Sequence, residues 1–539
     1  MKNSTQRLVG AVATAAVAAL ALSACGAGRT DDPAASGTAA AAGGTLLVGT
    51  TDKVTAIDPA GSYDNGSFNI ETQVFPFLMS FKPGGADLAP DAAESCEYTA
   101  DTVYTCVLRD GLTFANGNPI NASTVKFSFD RQIAIADPNG PSSLLGNLAS
   151  VDAVDAKTVA FTLKGANDQT FPQILASPAG PIVDEKSFPA DALLADDAIV
   201  TAKAFAGPYT ISSYKKNELV EFAKNADYAG IQGAAKNDGI TLKYYADSNN
   251  LKLDIASGEI DVATRSLTPT DIESLGTTKG VNVVTGPGGE IRYVVFNLNT
   301  QPGGTPEQKL AVRKAFAFSI DRQEIATAVY KDTYTPLYSY VPSGLPGAAT
   351  PFKDLYGTKP DVAAATKVLA DAGVTTPVEL NLQYNPDHYG TSSDAEYNAV
   401  KRQLEATKLF KVQLESTEWV TYAKERTADA YPAYQLGWFP DFSDADNYLT
   451  PFFDVGNFLG NHFENPEISA LLAAERTDAD PTTRAATIEK IQTELATNYL
   501  PTVPLLQGSQ VAVAADGVTG VKDTLNASFQ FRYAVLSKS

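Results

Sequence analysis

Segments with the patterns of strands and helices alternate along most of the chain, and this alternation constrains the fold more than any other feature of the sequence. Thr45–Thr50 and Thr158–Leu163 are short runs rich in β-formers, and every second residue from Val378 to Tyr384 is apolar, as in a half-buried strand. Pro306 begins a predicted helix with one apolar face. The alternation predicts an α/β fold with partly parallel sheets. The absence of a fixed-period repeat argues against solenoids and propellers.

The composition narrows the possible functions. The 539 residues suffice for about two to four domains and a large apolar core. The net charge of −21 argues against nucleic acid as a partner, because phosphate binding needs clustered Lys and Arg side chains. With two histidines in the chain, little is available for a histidine-based catalytic or zinc site.

The first 24 residues have the pattern of an export signal. Lys2 and Arg7 precede an uncharged apolar run of 15 residues that ends at Leu22, which is short for a membrane span of about 20 residues. The residues from Leu22 to Cys25 resemble the lipobox of bacterial lipoproteins. That resemblance implies a signal peptide over residues 1–24, which is cleaved before Cys25, and a lipid on the Cys25 sulfur.

An uncleaved anchor helix is the alternative to a cleaved signal, because no charged residue lies between Arg7 and Arg29. Residues 25–44 consist mostly of Ala, Gly, Ser, Thr and Asp and cannot form an apolar face. We therefore interpret them as a flexible tether.

Cys96 and Cys106 are the other two cysteines. Each lies among β-forming residues, and the polar residues 100–102 separate the two runs, so the sequence predicts a hairpin. A disulfide across this hairpin fits an exported protein, and two free buried thiols are the alternative. A catalytic cysteine is disfavoured because no histidine is near in sequence.

Motifs of known chemistry are absent from the sequence. It has no phosphate-binding loop, no nucleophile elbow and no HExxH motif. The glycines of residues 286–289 lack the spacing of a dinucleotide fingerprint, and His388 and His462 are isolated. We therefore predict no catalytic residue, no cofactor and no metal site, and keep a secreted hydrolase of unrecognised type as an alternative.

The stretch from Gly437 to Tyr448 combines one of the two tryptophans with three aspartates. Trp438 and a nearby carboxylate suit an apolar ligand that carries one cation. A core tryptophan beside a solvated acidic turn is the structural alternative. Asp441 could also cap a helix, and Asp444 and Asp446 could bind calcium, although the EF-hand pattern is absent.

Five segments in a fixed order carry a more specific signal. They read LRDGLTF at 108–114, GPY at 207–209, SGEID at 257–261, VRKAF at 312–316 and GWFPDFSDADNYLTPFF at 437–453. Together they resemble the family 5 extracellular solute-binding proteins, the oligopeptide- and dipeptide-binding class of bacterial ABC importers. The resemblance covers nearly everything after residue 44.

The resemblance implies a fold and a division into domains. The fold is a two-lobed, periplasmic-binding-protein-like clamshell of class II, the three-domain oligopeptide-binding type, with mixed sheets. Lobe one would comprise residues 45–77, 203–290 and 505–539, with an inserted domain at 78–202. Lobe two would comprise residues 291–504.

The resemblance also implies a function. A lipid-anchored monomer on the outer face of the bacterial cytoplasmic membrane would capture peptides between its lobes and deliver them to the permease and ATPase subunits of an ABC transporter. It would be no enzyme. A non-peptide solute (a sugar, an opine or a metal chelate) is the alternative ligand. A membrane-surface signalling receptor is an alternative role.

Site residues follow by motif position. The resemblance assigns Asp441 to the α-ammonium of a peptide, Trp438 and Trp419 to the ligand pocket, and Arg426 to the peptide carboxylate. A second carboxylate-binding arginine of some relatives is replaced here by Gln435. The first lobe would contribute the loop after Asp58-Pro59, with candidates Tyr63, Asn65, Gly66 and Ser67. Packing of Trp419 on Arg426, and a plain turn at 63–67, are the structural alternatives.

Overall fold

A computed structural model describes residues 43–85, 87–265, 267–527 and 530–539. The predicted signal peptide, Cys25 and most of the predicted tether lie outside the described residues. The described chain mixes helices with parallel and antiparallel strands, which confirms the α/β prediction. None of its helices is both long enough and apolar enough to cross a membrane.

The strands are, in chain order, Thr45–Thr50 (β1), Met79–Phe81 (β2), Leu88–Pro90 (β3), Ala93–Ala100 (β4), Val103–Leu108 (β5), Leu148–Ala153 (β6), Thr158–Leu163 (β7), Tyr209–Lys215 (β8), Leu219–Lys224 (β9), Gly239–Tyr244 (β10), Val262–Thr264 (β11), Val281–Gly286 (β12), Ile291–Phe296 (β13), Tyr334–Pro336 (β14), Val378–Tyr384 (β15), Phe410–Ser416 (β16), Ala433–Trp438 (β17), Thr502–Gly508 (β18), Gln510–Ala515 (β19), Val518–Thr519 (β20) and Ser537–Lys538 (β21).

The α-helices are Asn65–Val74 (α1), Ala122–Ile135 (α2), Phe171–Ile174 (α3), Asp196–Ala202 (α4), Ser248–Ser257 (α5), Pro269–Leu275 (α6), Pro306–Phe318 (α7), Arg322–Ala328 (α8), Pro351–Tyr356 (α9), Val362–Asp371 (α10), Ser393–Ala406 (α11), Trp419–Thr427 (α12), Thr450–Phe453 (α13), Pro466–Thr477 (α14) and Pro481–Glu494 (α15). Many begin at a side-chain cap, as at Thr305 and Asn465, whose side-chain oxygens accept backbone N–H bonds of the first turn.

Two large mixed sheets form the framework. The first has seven strands in the order β12-β19-β11-β1-β10-β9-β8, and β1 is parallel to both of its neighbours. The second has six strands in the order β14-β18-β13-β17-β15-β16, and β15 is parallel to both of its neighbours. β18 crosses the predicted boundary at residue 504 and lies wholly in the second sheet.

A four-stranded antiparallel sheet, β4-β5-β7-β6, forms a third unit. The hairpin of β4 and β5 sets Cys96 opposite Cys106, with 4.1 Å between the Cα atoms, and a disulfide joins them. The second large sheet and the four-stranded sheet each have an apolar core of their own. The core residues of the second large sheet lie between Ile291 and Leu506 in sequence. Those of the four-stranded sheet lie between Leu78 and Ala206, with the addition of Phe442.

Two crossing segments connect the large sheets, one after β12 and one after β18. They touch where Gly288 packs on Gly508, and a Cβ added to Gly288 would lie 2.0 Å from the Gly508 carbonyl oxygen. Gly288 therefore allows the two crossing segments to lie side by side. The glycine-rich residues 287–289 thus belong to a connection between the two sheets.

Candidate functional site

A cavity of about 550 Å³ lies between the residues that follow β1 and those that follow β17. We call it the Trp cavity because both tryptophans line it. The lining residues are Tyr63, Asp64, Asn65, Phe68, Pro178, Arg265, His388, Tyr389, Trp419, Gly437, Trp438, Phe439, Pro440, Asp441 and Phe458. Its volume lies within the range of about 300–1,000 Å³ that is usual for ligand pockets.

A second cavity of about 580 Å³ shares Arg265 and Tyr389 with the Trp cavity. We call it the Glu290 cavity. Its walls come from both large sheets and their connections, with Asp247 and Gln510 on one side and Glu290 and Tyr334 on the other. The two cavities thus meet at shared residues between the two halves of the protein.

Asn447 fixes the geometry of the motif tryptophan and aspartate. Its Oδ1 accepts hydrogen bonds from Trp438 Nε1 and from the Asp441 backbone N–H, both at 2.9 Å. Its Nδ2 donates to Asp441 Oδ2 at 3.2 Å. Asn447 is buried, so one amide holds both residues at the cavity wall. Sequence reasoning missed this residue, although it lies within the Gly437–Tyr448 stretch.

Asp441 faces the other half of the protein across the cavity. The hydroxyl of Tyr63 donates to Asp441 Oδ1 at 2.5 Å, although the two residues are 378 positions apart in sequence. Burial raises the pKa of Asp441, and the hydrogen bonds from Tyr63 and Asn447 oppose that rise. Burial and the nearby Asp441 charge raise the pKa of Tyr63, so the phenol remains a donor. The carboxylate is therefore a partly desolvated acceptor.

Aromatic rings form much of the remaining wall. The imidazole of His388 stacks on Trp419 with 3.7 Å between ring centroids and 5° between planes. Tyr389 packs edge-on against Trp419, and Phe458 packs at an angle against Trp438. Burial, followed by the charge of Arg292, lowers the pKa of His388. His388, interpreted from sequence as an isolated residue, is thus a cavity residue in a neutral aromatic wall.

Two of the predicted loop residues lie in the first turn of α1 and outside the cavity lining. Ser67 is buried, and its Oγ accepts the Thr55 N–H at 2.9 Å and donates to Asp64 Oδ2 at 2.8 Å. A Cβ on Gly66 would lie 2.1 Å from the Lys53 carbonyl oxygen. These contacts give both residues a role in packing the loop, whereas Tyr63 and Asn65 reach the cavity.

Arg426 does not line the Trp cavity. Its Nη1 donates to the carbonyl oxygens of Phe458 and Leu459, both at 2.9 Å, and the guanidinium lies 4.5 Å from the Phe458 ring centroid. The side chain is buried at the end of α12. The structure therefore gives Arg426 a different position from the one that the resemblance implied: it supports the segment that carries Phe458.

The other two aspartates of the stretch form ion pairs. Asp444 accepts from both terminal nitrogens of Arg484, at 2.7 and 2.8 Å, and Asp446 lies 3.4 Å from Arg476 Nη2. Arginine thus occupies the positions where calcium was considered. Among the described residues, no group of three or more His, Cys, Asp and Glu side chains is arranged to hold a metal ion.

Contacts outside the cavity lining also join the two halves. Phe442 follows β17 of the second sheet in the chain, but its side chain packs into the apolar core of residues 78–206. The Gln169 N–H donates to the Arg476 carbonyl oxygen at 2.8 Å. Together with the bond from Tyr63 to Asp441, these contacts join the half that contains the second sheet to the rest of the protein.

Replacing Asn447 with alanine should lower the free energy of unfolding by about 2–4 kcal/mol, because the N–H groups of Trp438 and Asp441 would lose their acceptor. Urea unfolding of the ligand-free protein measures the change. Asn398→Ala is the matched control, because Asn398 is exposed, and we expect a loss below about 0.5 kcal/mol there. Equal losses in the two variants would contradict the role given to Asn447.

Comparison with known proteins identifies the family. The sequence profile of the bacterial extracellular solute-binding proteins, family 5, matches residues 87–460, which is more than half of the chain. The chain belongs to this family. Its members bind solutes outside the cytoplasm, so the protein is an extracytoplasmic solute-binding protein and not an enzyme.

Three relatives illustrate the similarity. Di/tripeptide-binding protein 1 of Pseudomonas aeruginosa is 27% identical over 75% of this chain and 78% of its own length. Heme-binding protein A of Haemophilus influenzae is 26% identical over 95% of this chain and 96% of its own length. The structure of the periplasmic binding protein DppA of Helicobacter pylori, in complex with the peptide STSA, superposes with a TM-score of 0.71 at 21% identity, over 92% of this chain and 98% of that one. The family 5 clamshell fold is confirmed.

Proposed function

We propose that this protein captures peptides in the Trp cavity and delivers them to the permease of an ABC importer. The observation that carries the proposal is the position of Asp441. Its carboxylate lies at the wall of a cavity between two halves, beside Trp438 and opposite Tyr63. A peptide with a free α-ammonium supplies the cation that this carboxylate lacks.

The proposed binding step is an exchange of donors. The Tyr63 hydroxyl, a neutral donor, gives way to the ammonium, or shares the carboxylate with it. A hydrogen bond between two charged groups contributes about 1.5–3 kcal/mol, more than a neutral one. Exclusion of water by the surrounding rings strengthens this attraction, because it lowers the local dielectric constant.

The aromatic wall suits the rest of a peptide. Trp419, His388 and Phe458 offer apolar contact to the side chains of a peptide. These three rings carry no charged group that would select among peptide side chains. Relatives support a peptide, since one is a di/tripeptide-binding protein and another was solved with a peptide. Because another relative is a heme-binding protein, a non-peptide ligand is the alternative outcome of the tests below.

We propose the predicted domain boundaries with one shift. Lobe one would hold residues 45–77, 203–290 and the chain after Gly508, with the inserted domain at 78–202, and lobe two would hold residues 291–508. The assignment rests on the strands of the two large sheets and on their separate cores. A ligand that contacts both lobes would shift the population toward the closed arrangement.

We also propose that the mature protein is a monomer held by a lipid on Cys25 at the outer face of the cytoplasmic membrane. The support is the sequence from Leu22 to Cys25 and the composition of residues 25–44, which is typical of a tether. The permease and ATPase subunits of the importer are the proposed protein partners.

Native mass spectrometry of the purified protein with pooled dipeptides to pentapeptides tests the proposed function. We expect the protein to retain peptides with free amino termini and to reject the same pool after N-acetylation, because acetylation removes the positive charge. If the protein retains the two pools equally, or retains neither pool, the result contradicts a site built on Asp441.

A further inference from the structure

Glu71 is a buried carboxyl group beneath residues 58–64, which we call the Tyr63 loop. It belongs to α1 and is 0% exposed, and its Oε2 has no hydrogen-bond partner among the described residues. Its Oε1 lies 2.5 Å from the hydroxyl oxygen of Ser62, the residue before Tyr63. A carboxylate in this position would be poorly compensated for its loss of water, because a buried charge needs several donors or a cation.

The other two carboxyl groups of the Tyr63 loop have the donors that an anion needs. Asp58 is buried and accepts from Arg131 Nη1 and Nη2, at 2.7 and 2.6 Å. Asp64 accepts from the backbone N–H and from the hydroxyl of Ser67, both at 2.8 Å. Glu71 has neither a cation nor a backbone N–H as a partner within the part of the chain that the structure describes. Its surroundings therefore differ in kind from those of its two acidic neighbours.

The hydrogen bonds of Ser62 require a proton on Glu71. The Ser62 hydroxyl oxygen lies 3.1 Å from the Asp58 carbonyl oxygen and 2.5 Å from Glu71 Oε1. A hydroxyl has one proton to donate, and a carbonyl oxygen can only accept. The Ser62 proton therefore serves Asp58, and Glu71 supplies the proton of the shorter bond. Burial raises the pKa of Glu71 well above its ordinary value, opposed by the Ser62 bond and assisted by the charges of Asp64 and Asp58.

We infer that Glu71 is a positioning residue, an uncharged acid that fixes the Tyr63 loop. The chain of bonds runs from Glu71 through the Ser62 hydroxyl to the Asp58 backbone, and Tyr63 is the next residue. The Tyr63 hydroxyl in turn reaches Asp441. Glu71 lines neither the Trp cavity nor the Glu290 cavity, so it acts on a ligand only through the loop. The inference rests on the proposed function, because that function gives Tyr63 a place in the peptide site.

Urea unfolding of the ligand-free protein from about pH 5 to about pH 8.5 tests the charge state of Glu71. The folded protein keeps the Glu71 proton that the unfolded chain releases, so wild type should lose stability relative to Glu71→Gln as the pH rises. The glutamine amide can donate to Ser62 and has no proton to lose. Glu94→Gln, at an exposed position of β4, is the matched control and should follow wild type. A difference between wild type and Glu71→Gln that is constant across this range, or that moves the other way, overturns the inference.

Ser62→Ala tests the positioning role, because it removes the link between Glu71 and Asp58 at the loss of one hydroxyl. Hydrogen–deuterium exchange of the ligand-free variant should rise in residues 58–68 and match wild type in β13 and β17. Glu71→Gln, the conservative variant, should keep the wild-type exchange. By calorimetry, the affinity of Ser62→Ala for one retained peptide should fall about three- to tenfold.

Three results overturn the positioning role. They are an exchange rate in Ser62→Ala that is unchanged at residues 58–68, a rise of the same size throughout the protein, and an unchanged affinity in a variant whose Tyr63 loop exchanges faster. A rise in Glu71→Gln equal to that in Ser62→Ala also contradicts the role of an uncharged donor. If wild type binds no peptide, the proposed function fails, whereas the unfolding and exchange results still decide the state of Glu71.

Discussion

Replacing Asp441 with asparagine should weaken the binding of a peptide with a free amino terminus by about 2–5 kcal/mol, the usual cost of leaving a buried charge of a complex unpaired. The amide has nearly the same shape, and Tyr63 can still donate to its oxygen. The new NH2 group then faces Asn447 Nδ2, so the substitution removes the charge and the weaker hydrogen bond of 3.2 Å but keeps the bond from Tyr63. Isothermal titration calorimetry with one retained peptide measures the loss.

The control for this substitution is Asp371→Asn. Asp371 pairs with Lys367 on an exposed helix surface, with 62% of its side chain accessible, and we expect no change in affinity there. The same calorimetry with the N-acetylated peptide should show little difference between wild type and Asp441→Asn, because the charged partner is already missing. If Asp441→Asn binds the free peptide as tightly as wild type does, Asp441 is not the ammonium site.

The affinity of wild type should also depend on pH. Desolvation raises the pKa of Asp441 in the ligand-free protein, and a bound ammonium would lower it again. Peptide binding must therefore release a proton once the pH falls to the raised pKa, and affinity should fall there, at a higher pH than for an ordinary aspartate. Titrations at descending pH should show this fall in wild type and its absence in Asp441→Asn.

Replacing Cys25 with serine should move the protein almost entirely from the membrane fraction to the soluble fraction of cells. Each buried methylene group of a lipid chain contributes about 0.8 kcal/mol to membrane attachment, and serine lacks the thiol that would carry the lipid. Fractionation followed by immunoblotting measures the distribution. Mass spectrometry of the amino terminus identifies the modification.

A variant with both Cys96→Ser and Cys106→Ser is the control for thiol removal. It lacks the hairpin disulfide but keeps Cys25, so it should stay with the membrane. Membrane retention of Cys25→Ser would support the uncleaved anchor helix of residues 8–22 and contradict the lipid anchor.

Local sequence patterns predicted the framework well, because strand and helix signals depend on near neighbours. β1, β7 and β15 have the predicted bounds, and Pro306 begins α7. The hairpin around residues 100–102 also forms as expected. In each case the pattern of apolar residues, caps and turns agrees with the position in the fold.

The site was only partly predictable, since its contacts join residues far apart in sequence. The motif placed Asp441 and Trp438, but nothing local marks Tyr63 as the partner of Asp441, 378 positions away. His388 and Arg265 look like ordinary polar residues until the fold brings them to the cavities. Their roles depend on packing that no short pattern encodes.

Position along the chain did not predict the surroundings of Arg426, or those of Gly66 and Ser67. Arg426 lies seven positions after Trp419, but the segment at 458–459 covers its guanidinium, which the spacing could not reveal. Gly66 and Ser67 lie beside Tyr63 in sequence, but the close approach of Lys53 and the cap at Asp64 fix them inside α1.

The most direct test is to identify what the protein carries when it is purified without added ligand. Native mass spectrometry of the complex, followed by release and fragmentation of the bound molecule, should yield peptides with a free amino terminus. A sugar, an opine, a metal chelate or a tetrapyrrole in their place would contradict capture of an α-ammonium by Asp441.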